Sequence, residues 1–201
     1  MIAIIDYDAG NLKSVEKAIQ HLGAECKITR DAEEILGADK VILPGVGAFG
    51  DAMEKLHQFG LVEVIRQVVL ANTPFLGICM GLQLLFESSD EAPGVEGLGI
   101  LPGKIVAFPK AESYKIPHMG WNSLEIQEDA RLFLGIPQQS YVYFVHSYYL
   151  EAADLSDVAA TTEYITHVHA SVERGNLFAC QFHPEKSGEV GLQILKNFCT
   201  L

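Results

Sequence analysis

A thiol that attacks, an imidazole that takes its proton and a carboxylate that orients the imidazole together perform covalent acyl transfer. One thiol of this sequence stands in a setting built for attack. Phe75-Leu76-Gly77-Ile78-Cys79-Met80-Gly81-Leu82-Gln83 puts Cys79 between an apolar run and a helical pattern, with glycine two positions before and two after. A nucleophile on so sharp a turn occupies strained backbone, and flanking side chains would strike neighbouring elements, which glycine avoids. A helix opening just beyond the thiol also favours the thiolate through its dipole. The competing reading is a buried structural cysteine. Cys26, Cys180 and Cys199 receive it, because none has this setting.

The imidazole and carboxylate stand together in Phe178-Ala179-Cys180-Gln181-Phe182-His183-Pro184-Glu185. Pro184 biases His183 toward extended backbone, where residues two apart point the same way. On that reading His183 and Glu185 sit side by side at a strand end, and the ring nitrogen that the carboxylate leaves free faces Cys79. A lone His-Pro-Glu is a weak signal, since such tripeptides often close surface turns; beside the cysteine turn it becomes a candidate base and orienter. His167 and His169 alternate along one strand face without a third ligand, so no metal site is expected. His21 and His57 read as helix-surface residues, and His146 as core or pocket wall.

These groups need elements to position them. Ile2–Ile5 is a short apolar run typical of a strand buried on both faces, and Leu12, Val15, Ile19 and Leu22 follow on one helical face with Gly23 as its stop. Strands near Cys26–Thr29, Val41–Leu43 and Phe75–Ile78 alternate with helices near Ala32–Leu36 and Leu61–Val69, while Pro44–Gly50 reads as a glycine-rich loop. Alternation of this kind predicts an α/β fold whose mostly parallel central sheet is flanked by helices. The second half reads as strands at Ile105–Phe108, Tyr141–Tyr148, His167–Val172 and Leu177–Phe182, the last two joined by a Glu173–Asn176 hairpin turn. A smaller antiparallel part is therefore expected in the C-terminal half, then a closing helix through Val190–Phe198, all in a single domain spanning 1–201.

Composition narrows the setting. The chain has 201 residues, a formal charge of −12 and 49% apolar residues, so it has no electrostatic grip on nucleic acid or an anionic membrane surface. No uninterrupted apolar run reaches membrane-spanning length, and Met1–Asp6 lacks the leader of a signal peptide. The four scattered cysteines form neither a disulfide framework nor a zinc pattern. A cytoplasmic protein is expected.

These motifs resemble the class I glutamine amidotransferases, the triad-type glutaminases. Gly77–Gln83 is similar to the nucleophile motif and Phe182–Glu185 to the His/Glu motif, and the resemblance runs over essentially the whole chain. Leu82 departs from the usual methionine, an exchange of apolar side chains that packing tolerates. Asp6–Asn11, Pro44–Phe49, His118–Asn122 and Tyr143–Tyr148 resemble a narrower branch, whose members feed ammonia to a (β/α)8-barrel cyclase in histidine biosynthesis.

The resemblance implies that Cys79 attacks the side-chain amide of glutamine, while His183, oriented by Glu185, protonates the departing ammonia and activates water. The oxyanion then rests on the backbone N–H of Met80 and a second donor around Val46 and Gly47. Gln83, Glu91, His146, Ser147 and Tyr148 are expected to hold glutamine. Asn11, Trp121, Asn122, Tyr143 and Lys186 are expected near the interface of a heterodimer with the cyclase. Trp121 also reads as a core aromatic. No cofactor is implied, and partner binding is expected to raise turnover by adjusting Pro44–Gly50. Three alternatives remain open: a glutaminase of another pathway, a cysteine peptidase, and a non-catalytic subunit of the same fold.

Overall fold

A strand covered on both faces must be apolar at nearly every position, and the first half of the chain is organised by three such strands. The computed structural model describes residues 1–201. Its first half runs β1 (Ile2–Ile5), α1 (Leu12–His21), β2 (Cys26–Thr29), α2 (Ala32–Leu36), β3 (Lys40–Gly45), α3 (Phe49–Gln58), α4 (Leu61–Leu70), β4 (Phe75–Cys79) and α5 (Met80–Leu84). Every residue of β1 and β4 is buried, as is every residue of β3 after Lys40. The second half adds β5 (Ser88–Ser89), β6 (Gly103–Ala107), β7 (His118–Ser123), β8 (Glu125–Ile126), β9 (Tyr141–His146), β10 (Tyr148–Ala152), β11 (Val158–Tyr164), β12 (Thr166–Arg174), β13 (Leu177–Cys180) and α6 (Gly188–Thr200).

The main sheet has the order β2-β1-β3-β4-β13-β12-β11-β8. It is parallel from β2 to β13 and antiparallel beyond, so the antiparallel part extends the central sheet rather than standing apart. The change of direction is made by the β12–β13 hairpin, where Gly175 takes φ +58° at the turn. One apolar core lies on each face, around Leu43, Phe49 and Ile65 on one side and around Phe144, Phe178 and Phe198 on the other. No helix is long and apolar enough to cross a membrane.

Several elements differ from the sequence reading. The expected Pro44–Gly50 loop is mostly regular: Pro44 and Gly45 end β3, Phe49 opens α3, and only Val46–Ala48 connects them. The helix is hidden because its first N–H is capped by a side chain remote in sequence, Glu91, whose carboxylate accepts from Phe49 N at 2.8 Å. Tyr141–Tyr148 is two strands rather than one. The chain breaks at Ser147, so that β9 pairs with β7 while β10 pairs with β6 in a separate sheet. β7 and β11 have weak strand patterns, with Gly120 inside the first and small or hydroxyl residues filling the second; pairing partners rather than local propensity make them strands.

The β4–α5 junction is closed sterically. A Cβ at Gly81 would lie 1.8 Å from the carbonyl oxygen of Leu43, which is backbone and cannot swing aside. Gly81→Ala is therefore expected to destabilise the protein by about 3 kcal/mol or more, lowering the melting temperature by roughly 10 °C. Thermal denaturation checks this, and an unchanged melting temperature would show that β3 and α5 are not held in contact.

Candidate active site

Cys79 is the last residue of β4 and sits at φ 54°, ψ −106°, a conformation costly for any residue with a side chain. Neighbouring glycines make room for it. A Cβ at Gly77 would lie 2.7 Å from the Gly81 carbonyl oxygen, so each flanking glycine answers a different collision. The helix beyond is shorter than the dipole argument needs: α5 has five residues, and what reaches the sulfur is the field of its first free N–H groups.

Cys79 opens onto a cavity of about 270 Å³. Val46, Gly47, Met80, Gln83, Glu91, His146, Ser147, Tyr148 and His183 line it with Cys79, and Pro117 and Val145 complete the wall. Gly47 takes φ +105° with open space around its missing Cβ, so glycine is needed there for conformation alone.

His183 and Glu185 meet by a different route from the one expected. His183 is extended, but Pro184–Lys186 forms a 3-10 turn, and this turn, not strand alternation, swings Glu185 back to the ring. Ser187 secures the turn, its hydroxyl donating to the His183 carbonyl at 2.6 Å and accepting from Tyr143 N at 2.9 Å. Glu185 Oε1 lies 2.8 Å from His183 Nδ1, with both side chains sealed from solvent. A carboxylate only accepts, so Nδ1 carries a proton and Nε2 is the free nitrogen. Nε2 has no hydrogen-bond partner, and neither does Glu185 Oε2. Asn11 also donates to Glu185 Oε1, from the start of α1. Burial lowers the His183 pKa, but the Cys79 sulfur and the Glu185 carboxylate outweigh it and raise the value to about 9. The ring therefore holds its proton at neutral pH.

The opposite wall is a polar network. Gln83 Nε2 donates to Gln181 Oε1 at 3.0 Å and to the Tyr148 carbonyl at 3.3 Å. His146 Nδ1 meets the same carbonyl at 2.8 Å, and His118 Nδ1 meets His146 Nε2 at 2.9 Å. Burial pushes His118 down to about 4 and His146 to about 3, so both rings are neutral near pH 7. Gln181, His118, Pro117 and Tyr7, whose buried hydroxyl has no partner, were not among the expected site residues. One signal was available for Gln181: a lone polar residue in the apolar run Leu177–Phe182 must find partners.

The expected interface residues divide. The β7–β9 ribbon pairs Trp121 with Tyr143, their rings edge-to-face at 6.0 Å, and Trp121 is 55% exposed beside Met119 at 63%. Trp121 is thus a surface aromatic, not a core one. Lys186 is exposed on the turn below His183. Asn122 faces inward, donating to the Glu163 carbonyl at 3.0 Å, and Asn11 is engaged with Glu185. No group of three or more His, Cys, Asp or Glu side chains is placed to hold a metal ion.

A parallel sheet bearing a cysteine on a glycine-flanked turn, with a buried His–Glu pair across the cavity, fits the family whose model matches residues 3–201, glutamine amidotransferase class-I. The chain belongs to this family and is an enzyme of that class. It is 54% identical over 198 residues, covering 98% of this chain and 93% of the relative, to imidazole glycerol phosphate synthase subunit HisH of Bacillus cereus (strain G9842). With the protein of the same name from Methanocaldococcus jannaschii it shares 50% identity over 201 residues, 100% of both chains. Among solved structures, PurLQS from Thermotoga maritima superposes with a TM-score of 0.75 at 19% identity, over 99% of this chain and 97% of that one. The glutaminase domain of Trypanosoma brucei CTPS gives 0.69 at 17% identity, over 99% and 93%. At these identities the likeness is one of fold.

The His183 ring has a pH signature. Its folded value of about 9 lies above the ordinary 6.5, so the protonated ring stabilises the fold fully below about pH 6.5 and loses that contribution as pH rises through 9. The melting-temperature difference between wild type and His183→Gln is expected to be steady below pH 6.5 and to shrink toward pH 9 to 10. A difference that grows with pH would mean a neutral ring in the folded protein.

Proposed function

We propose that this chain is the glutaminase subunit of an imidazole glycerol phosphate synthase, releasing ammonia from glutamine through Cys79, His183 and Glu185 for histidine biosynthesis. The observation that carries this reading is the cavity onto which the strained Cys79 opens opposite His183. The Cys79 sulfur attacks the side-chain amide carbon, and the carbonyl electrons move to oxygen. The backbone N–H of Met80 holds that oxyanion with a second donor from Val46 or Gly47, and each such donor is worth about 3 kcal/mol in a dry site. His183 gives its proton to the amide nitrogen as the C–N bond breaks, leaving ammonia and a Cys79 thioester. The ring then takes a proton from water, whose oxygen displaces the sulfur and yields glutamate.

Gln83, Glu91, His146, Ser147 and Tyr148 form the wall that receives the amino-acid part of glutamine. Residues 1–201 act as one domain in the cytoplasm, without a cofactor. Its partner is a (β/α)8-barrel cyclase that docks as a heterodimer against Met119, Trp121, Tyr143 and Lys186, with Asn11 and Asn122 behind that face. An exposed aromatic cluster beside a catalytic cavity supports a docking role, since ammonia that escapes to solvent is wasted. Docking adjusts the Val46–Ala48 connection and raises turnover.

The decisive measurement is glutamate release by wild type and Cys79→Ala, with and without the cyclase and its nucleotide ligand. Cys79→Ala is expected to lose about 10⁴-fold or more, and the liganded partner to raise wild-type turnover. Turnover that survives Cys79→Ala would remove the nucleophile, and turnover indifferent to the partner would remove the coupling. Trp121→Ala is expected to weaken partner binding roughly thirtyfold, about 2 kcal/mol, when titrated calorimetrically. An unchanged affinity would place the docking face elsewhere.

A further inference from the structure

The Cys79 sulfur has a polar neighbour besides His183. Gln181, fully buried between β13 and His183, sets its side-chain Nε2 3.7 Å from Cys79 Sγ, within hydrogen-bond reach for sulfur. Shape alone does not distinguish the two ends of a carboxamide, but the surrounding bonds do. The Tyr148 carbonyl only accepts, so His146 Nδ1 at 2.8 Å and Gln83 Nε2 at 3.3 Å both donate to it. Gln83 Nε2 also lies 3.0 Å from Gln181, so the atom it meets there is the oxygen. The other end of Gln181, toward the sulfur, is the NH₂ group. His146 is fixed in the same way: with its proton on Nδ1, its Nε2 accepts from His118 Nδ1 at 2.9 Å. Burial keeps both rings neutral, so each has one donor and one acceptor and the direction cannot reverse at neutral pH.

We propose that Gln181 is a further catalytic residue, whose side-chain amide donates to the Cys79 sulfur and favours its anionic form, held in that sense by Gln83 and the Tyr148 carbonyl. This rests on Cys79 being the nucleophile of the glutaminase reaction. A neutral thiol is a weak acceptor, whereas a thiolate makes a charge-assisted bond that a dry site strengthens, so the amide acts on the S–H ionisation. The thiol proton moves to His183 Nε2, which gives the protonated ring described above beside a thiolate. A tenfold gain in thiolate population costs only about threefold in intrinsic nucleophilicity, so the gain prevails wherever the thiol is not already ionised. The other titratable groups around the sulfur are His183 and Glu185 on the turn, Cys180 on β13, Tyr7 before α1, and His146, Tyr148 and Glu91 along the cavity. None of them is hydrogen-bonded to the Gln181 side chain, whose partners are Gln83 and Cys79.

The test uses the full chain with Gln181→Glu, which keeps the shape but turns an acceptor to the sulfur, and Gln181→Met, which keeps the volume without charge. Iodoacetamide alkylation of Cys79 is followed against pH, with Cys79→Ala as the blank for the other cysteines, alongside kcat and KM for glutamine. Both variants are expected to move the alkylation profile to higher pH and to slow alkylation at pH 7 about threefold, with kcat falling more than KM changes. Profiles that overlay wild type in a variant that melts cooperatively overturn the proposal. So does a fall in kcat with an unmoved profile, which loss of packing alone produces. If wild type releases no glutamate, the glutaminase reading fails, while the alkylation profiles still decide the role of Gln181.

Discussion

Everything in this site depends on two backbones passing within contact of one another where Gly81 crosses the Leu43 carbonyl. That approach lets α5 start directly under β3, so the chain can turn from β4 into a helix within one residue, Cys79. The same crossing brings Gly45, the last residue of β3, opposite Cys79 in the sheet register. The Val46–Ala48 connection therefore begins beside Cys79. Cys79 and the Val46–Ala48 connection are placed by one steric constraint, and the positive φ at Cys79 is the strain that the close packing sustains.

A sealed histidine–carboxylate pair would ordinarily cost more in desolvation than it returns, and it survives when further hydrogen bonds satisfy the charge. Here the satisfaction is uneven. Glu185 Oε1 receives both His183 Nδ1 and the Asn11 amide, while Oε2 receives nothing. Both bonds fall on the oxygen that faces the ring, and the ring's other N–H lies toward the sulfur. An arrangement optimised for stability alone would spread those bonds. This one keeps a protonated imidazole next to an atom that can ionise, the condition a leaving ammonia requires.

Legibility in the sequence tracked how local each cause was. The parallel strands and the glycine-flanked Cys79 were readable because apolar runs and glycine spacing act within a few residues. The His183–Glu185 pairing was readable as a pair, but its geometry was not: the 3-10 turn depends on Ser187 bonding back to His183 and across to β9. Helix α3 was obscured because its cap, Glu91, is 42 residues away, although Phe49, Ala52, Met53 and Leu56 carry a helical period. The break at Ser147 left no local mark either, since β9 and β10 differ only in which partners they meet.

The β7–β9 ribbon joins what would otherwise be separate surfaces. Alternation along a strand sends residues to opposite faces, and the register pairs His118 with His146 and Trp121 with Tyr143. The outer pair forms part of the exposed aromatic face, and the inner pair ends on the Tyr148 carbonyl that orients Gln83 and, through it, Gln181. The ribbon has only two strands, so the outer and inner pairs are carried on the same backbone. For the docking proposed above, the ribbon offers a physical route to the sulfur that does not pass through the Val46–Ala48 connection.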